Sequence, residues 1–430
     1  MRNIVKKSGN VLIMLTMVLL FTYCGDELNI YSHSAIPPEA ITEKDLPILR
    51  NGMYNAVQNK PTAAGFILFD ILGGNLTNNA TANPKSLIDM TLSPLGGVVV
   101  NSWNGLFGAL YEVNNLISVV EAFPPSAQNT IYLGEADYFR AYIYYSLVTR
   151  WGSVPILRKN TNELVKRDPV DRVWAFIEED LDNAISRLGV PTTYYYVSKD
   201  AAIALKARVM LSQNKMTEAA TLAESLITSG KYKLDSFDKI FRKKQNTEIL
   251  FAFENVSNES SINISDLFYS YAHAVKGQYA YRPSPDVMTM FDGTNDNRKA
   301  ISIDAVSGNN CINKYPSGQA GKDPVIISRI AEMYLISAEA KGRIEGVDRL
   351  NELRTFRGLN PIYPGSDTEY LDAILLERRK ELLAEGFAYY DYVRTGVAKE
   401  KLGLLDYQVL LPIPGKELQL NPNLTPNPGY

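Results

Sequence analysis

The stretch that decides the fold class is GEADYFRAYIYYSLVTRWGSVPIL, residues 134–157. Tyr138, Ala141, Tyr142 and Tyr145 recur at i, i+3, i+4 and i+7, which sets their side chains on one face of a helix. That helix runs into Trp151-Gly152 and a turn closed by Pro155, residues that do not continue helical geometry.

Outward from this segment the same period returns. Ala202, Leu205 and Val209 mark another helix, and Met216, Ala219, Ala220, Ala223 and Ile227 the next. Only residues 212–215 separate them, the short link that an antiparallel helical hairpin needs. Small alanines let the axes approach closely, the packing of a tetratricopeptide-type hairpin that buries its apolar stripe against its neighbours. Residues 325–340 and 346–356 repeat the pattern, and Ser366 with Glu369 is a capping-box signature for a helix to about Glu385. The predicted class is mostly α: hairpins of this type forming a curved scaffold, with long irregular loops and a few short strands.

Two regions break the pattern. Residues 61–100 are rich in Gly, Asn, Thr and Pro, and residues 255–324 mix Ser, Asn, Tyr, Gly and Pro around short apolar runs. Residues 249–254 are strand-like and expected in a small hairpin, and residues 410–430 form a proline-punctuated strap. Long irregular segments in a helical protein are where function concentrates.

Composition excludes more than it assigns. The chain has 430 residues, a formal net charge of −3 and no basic footprint for nucleic acid or an acidic membrane. Two histidines, His33 and His273, and two cysteines, Cys24 and Cys311, build no zinc site at recognisable spacing. Tyrosine is in excess, 26 against three tryptophans, and its ring offers an apolar face together with a hydrogen-bonding edge. Arg2, Lys6 and Lys7, then the apolar run from Val11 to Phe21, then Cys24, have the layout of a secretory signal over residues 1–23. The run is too short for a spanning helix, which takes roughly 20 residues. A cysteine at that place predicts lipidation of Cys24, with Tyr23 departing from the small residue usual before it. Cys311 is then an unpaired, buried thiol.

At the level of whole blocks the chain resembles the SusD/RagB family. CGDELNIYSHSAIPPEAITEKDLPILRNGMYNAV (24–57) is similar to that family's opening, and residues 134–157 to its Trp-Gly-x-Val-Pro signature. AAIALKARVML (201–211), NTEILFAF (246–253), ISRIAEMYLISAEA (327–340) and LNELRTFRGL (350–359) resemble its central blocks. ERRKELLAEGFAYYDYVRTG (377–396) and LLPIPGKELQLNPNLTPNPGY (410–430) resemble its late charged helix and closing strap. The resemblance implies one domain over residues 24–430, a helical tetratricopeptide scaffold with ligand-facing variable loops around 61–104 and 255–324. It also implies a lipid-anchored protein on the outer membrane of a Gram-negative cell of the Bacteroidota. There it would capture oligosaccharide, or less often peptide, for a SusC-like TonB-dependent outer-membrane transporter. It implies no cofactor and no catalysis.

Three patterns compete with that reading. Glu377, Glu381 and Glu385 stand at i, i+4 spacing, and a carboxylate pair could serve glycoside hydrolysis. Interleaved with Arg378, Arg379 and Lys380, they are expected instead to form ion pairs. FDGTNDNRKA (291–300) is oxygen-rich but lacks the spacing of a calcium loop, and is read as a turn and helix cap. The N-x-S/T triplets at Asn75, Asn79, Asn255, Asn258 and Asn263 are read as polar loop.

Sugar faces stack on aromatic rings while their hydroxyls need amide, carboxylate or guanidinium partners. The candidate ligand residues are therefore Trp103, at the opening of a helix through Leu110 and Val113, and the cluster DLFYSYAHAVKGQYAYRPS (266–284). From the cluster we select Tyr269, Tyr271, Gln278, Tyr279, Tyr281 and Arg282, with Asp70 and Asn75 as polar partners from the first irregular region. In extended chain Tyr269 and Tyr271 would point to one side, as would Tyr279 and Tyr281. A purely protein-binding scaffold would bury these rings in an interface.

Overall fold

The computed structural model describes residues 41–79, 85–190, 193–242, 244–256, 260 and 262–430. The expected signal segment and Cys24 lie outside these residues. The chain forms two units, residues 1–48 and 49–430. In the first, the described residues 41–48 hold one 3₁₀ turn, Glu43–Asp45, where the Thr42 hydroxyl donates to Asp45 at 2.8 Å. Helix α1, Leu46–Asn59, begins there and runs into the second unit.

The second unit is a chain of paired helices: α2 (Gly97–Glu121), α3 (Ala127–Trp151), α4 (Val170–Arg187), α5 (Lys199–Ser212), α6 (Met216–Ile227), α7 (Ile330–Phe356) and α8 (Asp367–Glu381). Each packs on the next. Serine caps open three of them: the Ser126, Ser198 and Ser366 hydroxyl oxygens accept from Asn129, Ala201 and Glu369 amides at 3.0, 3.0 and 3.2 Å. Each cap is worth about 1 kcal/mol. Ala201, Ala202, Ala204 and Ala207 of α5 and Ala219 and Ala223 of α6 are fully buried, and the two helices pack against each other as the hairpin reading predicts. Helix α3 is buried nearly all round, not on one face alone, because α2 and α4 flank it and the strand layer covers it: Tyr138 meets Phe251 at 5.6 Å.

Two boundaries differ from expectation. Residues 325–329 are strand, not the start of a helix; the β-branched run Val325-Ile326-Ile327 favours extended chain there. Helix α8 ends at Glu381, four residues early, because the chain turns through Ala384 (φ +60°) and Gly386 (φ +86°). Within α7 the chain reverses at Gly342 (φ +70°), so the two predicted limbs fold against each other. Their approach is close enough that a Cβ on Gly346 would lie 1.9 Å from the Ala338 carbonyl oxygen.

Short strands complete the unit: β1 (Leu76–Asn78), β2 (Ile249–Phe253), β3 (Tyr281–Pro283), β4 (Ile303–Val306), β5 (Asn309–Ile312) and β6 (Val325–Arg329). All pair antiparallel, β1 with β3, β2 with β6 and β4 with β5. The strand-like stretch 249–254 thus has a distant partner in place of the expected local hairpin. The β1–β3 pair, with Thr77 opposite Arg282, joins the two irregular regions.

Beneath β6 and α8 lies a buried ionic core. Arg298, Arg329 and Arg357, all fully buried, converge on Glu381 at 2.6 to 2.7 Å. Glu248 takes Arg329 at 2.7 Å, Lys314 and Arg329 share Glu385, and Arg298 also pairs with Asp296 and Glu377. Burial alone would raise the Glu381 carboxyl, but Arg357, Arg329 and Arg298 outweigh it and hold it well below the usual carboxylate range. The i, i+4 glutamates are therefore ion-paired, and Asp296 of the oxygen-rich stretch belongs to the same network.

Candidate functional site

The tyrosine cluster 266–284 forms a folded loop, not extended strand. The His273 amide donates to the Ser270 carbonyl at 3.0 Å and the Lys276 amide to that of His273 at 3.1 Å, making two successive turns. The Gln278 amide then returns to the Asp266 carbonyl at 2.7 Å. Only glycine fits at 277, where a Cβ would stand 2.6 Å from the Asp266 carbonyl oxygen and 2.7 Å from that of Tyr269. Lys276 (φ +50°) and Tyr279 (φ +51°) are non-glycine residues in left-handed backbone, a cost of about 1–3 kcal/mol each that the surroundings must sustain. They do so through residues 317–320: Asn263 Nδ2 donates to the Gly318 carbonyl at 2.9 Å, and the Gln319 amide to that of Val275 at 3.2 Å.

This geometry sorts the predicted residues. Tyr271 is 70 % exposed, and Lys276 Nζ lies 4.7 Å from its ring centre. Gln278 and Arg282 are also exposed, the Gln278 side chain donating to Asp266. Tyr269 and Tyr271 do not share a side, because the turn at 270–273 intervenes; Tyr269 is buried, donates to Asn313 Oδ1 at 2.8 Å and packs on His273. Tyr279 and Tyr281 do share burial, and the Tyr279 hydroxyl donates to the Asn310 carbonyl at 2.9 Å. Tyr269 and Tyr279 pin the loop to β5 and its flank, and Tyr281 is buried in β3.

Trp103, Asp70 and Asn75 are placed in the interior. Trp103 sits in α2 with its ring edge-on to Trp151, centres 5.1 Å apart, and against Phe107 at 4.7 Å. Asp70 accepts from Asn75 Nδ2 at 2.8 Å and from the amides of Ala384 and Gly386 at 2.8 and 2.7 Å, so it organises the turn that ends α8. Asn75 in turn accepts from Arg379 Nε at 2.6 Å. Asn75 and Asn255, read as polar loop, lie in loops but are buried there. Cys311 is a buried free thiol, pushed up to about 12 by burial.

What the loop presents is an exposed aromatic ring, Tyr271, with the Lys276 ammonium beside it, and an exposed amide and guanidinium, Gln278 and Arg282, further along the same segment. That set can stack on a sugar ring and donate to its hydroxyls. Lys276 was not among the sequence candidates; its only signal is its place in the same loop, since its approach to Tyr271 depends on the left-handed turn.

Comparison with known proteins extends this picture to the whole chain. Residues 28–211 match the family described as starch-binding, associating with the outer membrane, and residues 311–408 match the SusD family. SusD-like protein P38 of Formosa agariphila is 25 % identical over 99 % of this chain and 100 % of its own length. Among solved structures, a laminarin-binding SusD-like protein superposes with a TM-score of 0.80 at 21 % identity, over 90 % of this chain and all of the other. NanU of B. fragilis does so with a TM-score of 0.79 at 21 % identity, over 93 % and 100 %. Matches to both ends of the chain, on a scaffold of the same helical tetratricopeptide-like fold, show that this chain belongs to the SusD/RagB family of carbohydrate-binding proteins.

Proposed function

We propose that this protein captures an oligosaccharide at the cell surface and delivers it to a SusC-like TonB-dependent transporter of the outer membrane. In this reading Cys24 carries the lipid that anchors it there. The observation that carries the proposal is Tyr271, an exposed ring on a loop held rigid by buried tyrosines, with Lys276, Gln278 and Arg282 on the same loop. The laminarin-binding relative supports carbohydrate as the ligand class. Binding without hydrolysis is supported by the late-helix glutamates, whose carboxylates are occupied by guanidinium groups.

The test is calorimetry of the chain starting after Cys24 against a panel of plant, host and microbial glycans, with product analysis on the same samples. The expected result is binding without cleavage, lost in Tyr271→Ala. Cleavage products would sink the binding-only reading. Binding that survives Tyr271→Ala would move the site elsewhere on the molecule, and a panel without binders would shift the ligand class to peptide or glycopeptide.

A further inference from the structure

Between the helical scaffold and the first irregular region lies a partly open cavity of about 70 Å³, against about 10–15 Å³ that one water needs by the same measure. Tyr142, Tyr145 and Arg150 of α3 line it, with Ser212 at the end of α5, Phe69 from the irregular region, and Tyr390. Four arginines border the space, and three of them are matched to carboxylates. Arg208 grips Glu332 through two bonds of 2.6 and 2.7 Å. Arg394 pairs with Glu339 and Asp391, and Arg378 with Asp391. Arg150 is different. Its two terminal nitrogens donate only to backbone carbonyls, of Ser146 at 2.9 Å and Gly65 at 3.0 Å, and its guanidinium lies 4.6 Å over the Phe69 ring. Among the described residues no carboxylate pairs with it, and its Nε has no hydrogen-bond partner.

Arg150 is half-buried, and a partly desolvated guanidinium without a counter-charge is costly unless something neutralises it. Helix-end carbonyls offset part of that charge, since Arg150 sits in the last turn of α3. The remainder faces a space large enough for an ion, bordered by the hydroxyls of Tyr142, Tyr145 and Tyr390, which can donate to an anion. The Ser212 hydroxyl already donates to the Arg208 carbonyl at 2.8 Å, and the Glu385 and Asp391 carboxylates on the wall are each paired with two cations. Burial lowers Arg150 to about 10, the direction expected of a cation left without its partner.

We infer that this cavity is a resident site for a small monovalent inorganic anion of chloride size, held by Arg150 with the hydroxyls of the cavity wall. The ion would serve as the missing counter-charge between the scaffold helix α3 and the Gly65–Phe69 side of the first irregular region. It is independent of the glycan surface, since none of Tyr271, Lys276, Gln278 or Arg282 lines the cavity.

The test uses bromide and chloride themselves. Crystals of the protein grown in sodium bromide should show an anomalous peak in the cavity within hydrogen-bond distance of Arg150. In solution, the melting temperature should rise as chloride replaces a bulky organic anion at constant ionic strength, because a ligand of the folded state stabilises it by mass action. Arg150→Gln should lose both effects. Cavity density that is water alone, with no anomalous signal and a melting temperature indifferent to chloride, would overturn the assignment. Should Arg150→Gln fail to fold, the bromide map of the unaltered protein decides by itself.

Discussion

Tyr271 and Trp103 were both read from sequence as ligand aromatics, yet their truncations should have opposite signatures. Tyr271 is 70 % exposed, so Tyr271→Ala opens no cavity and should leave stability within about 0.5 kcal/mol while removing glycan binding. Trp103 is enclosed by Trp151 and Phe107, so Trp103→Ala should cost on the order of 3–5 kcal/mol and lower the melting temperature whether or not ligand is present. Urea unfolding beside calorimetry on both variants separates the two roles; an unchanged midpoint for Trp103→Ala would put its ring outside the core. Glu381 makes the same point for charge. Its carboxylate accepts from three buried guanidinium groups, and Glu381→Gln removes the counter-charge they share, leaving Arg298 to Asp296 and Glu377, Arg329 to Glu248 and Glu385, and Arg357 to Glu248 alone. Breaking a buried pair from one side costs about 3–5 kcal/mol, so this variant should unfold at markedly lower urea. A midpoint near that of the unaltered protein would show that the network carries little net stability.

Among the elements, α6 and the two limbs of α7 are tied by one carboxylate. Glu224 of α6 accepts from Arg349 Nε and Nη2 at 2.8 Å each, from Lys341 at 2.6 Å and from the Ser337 hydroxyl at 2.6 Å. Ser337 and Lys341 precede the reversal at Gly342 and Arg349 follows it, so Glu224 fixes the angle of that hairpin. The Arg349 bonds are the main reason its carboxyl falls to about 2, from 4.5 when free. A lowered carboxyl stabilises the fold above the unfolded value and loses that contribution as pH falls from about 4.5 toward 2. The site is partly open to water, which limits the effect to on the order of 1 kcal/mol. Glu224→Gln should therefore be less stable than the parent at pH 6, with the gap closing toward pH 2 in chemical denaturation. An equal gap at both ends would assign the loss to packing and not to charge.

At the scale of the whole molecule, the legible part was what repeats locally. Helical periods, the Ser366 cap and the short link that makes α5 and α6 a hairpin depend on neighbours within a few residues, so a single chain displays them. Exposure does not: Trp103 and Tyr271 look alike in sequence, and only the helices laid over one and the turn lifting the other tell them apart. Long-range polar pairing was hidden for the same reason. Asp70, selected as a ligand contact, is consumed by amides more than 300 residues away in the chain, at Ala384 and Gly386. That joint and a second one each hold a carboxyl whose titration is coupled to folding. Burial raises Asp70 to about 6 against three donated hydrogen bonds. Burial, and then Asp180, raise Asp137 of α3 to about 7 despite Arg187 and Arg140, where α3 meets α4. Both carboxyls stand near 3.8 when unfolded, so between about pH 4 and 7 the folded chain keeps protons that the unfolded chain has released. Stability contributed by these groups is present at the acid end of that window and is lost as pH rises through 6 and 7. This window lies above the one in which Glu224 acts, so the two responses are separable. The expected outcome is a melting temperature that falls from pH 5 to pH 8, with a shallower fall in Asp137→Asn, whose amide cannot ionise. If the variant keeps the full slope, Asp137 is already ionised in the folded protein at pH 5, and its four-way contact with Arg187, Arg140 and Asp180 acts as an ordinary ion-pair network.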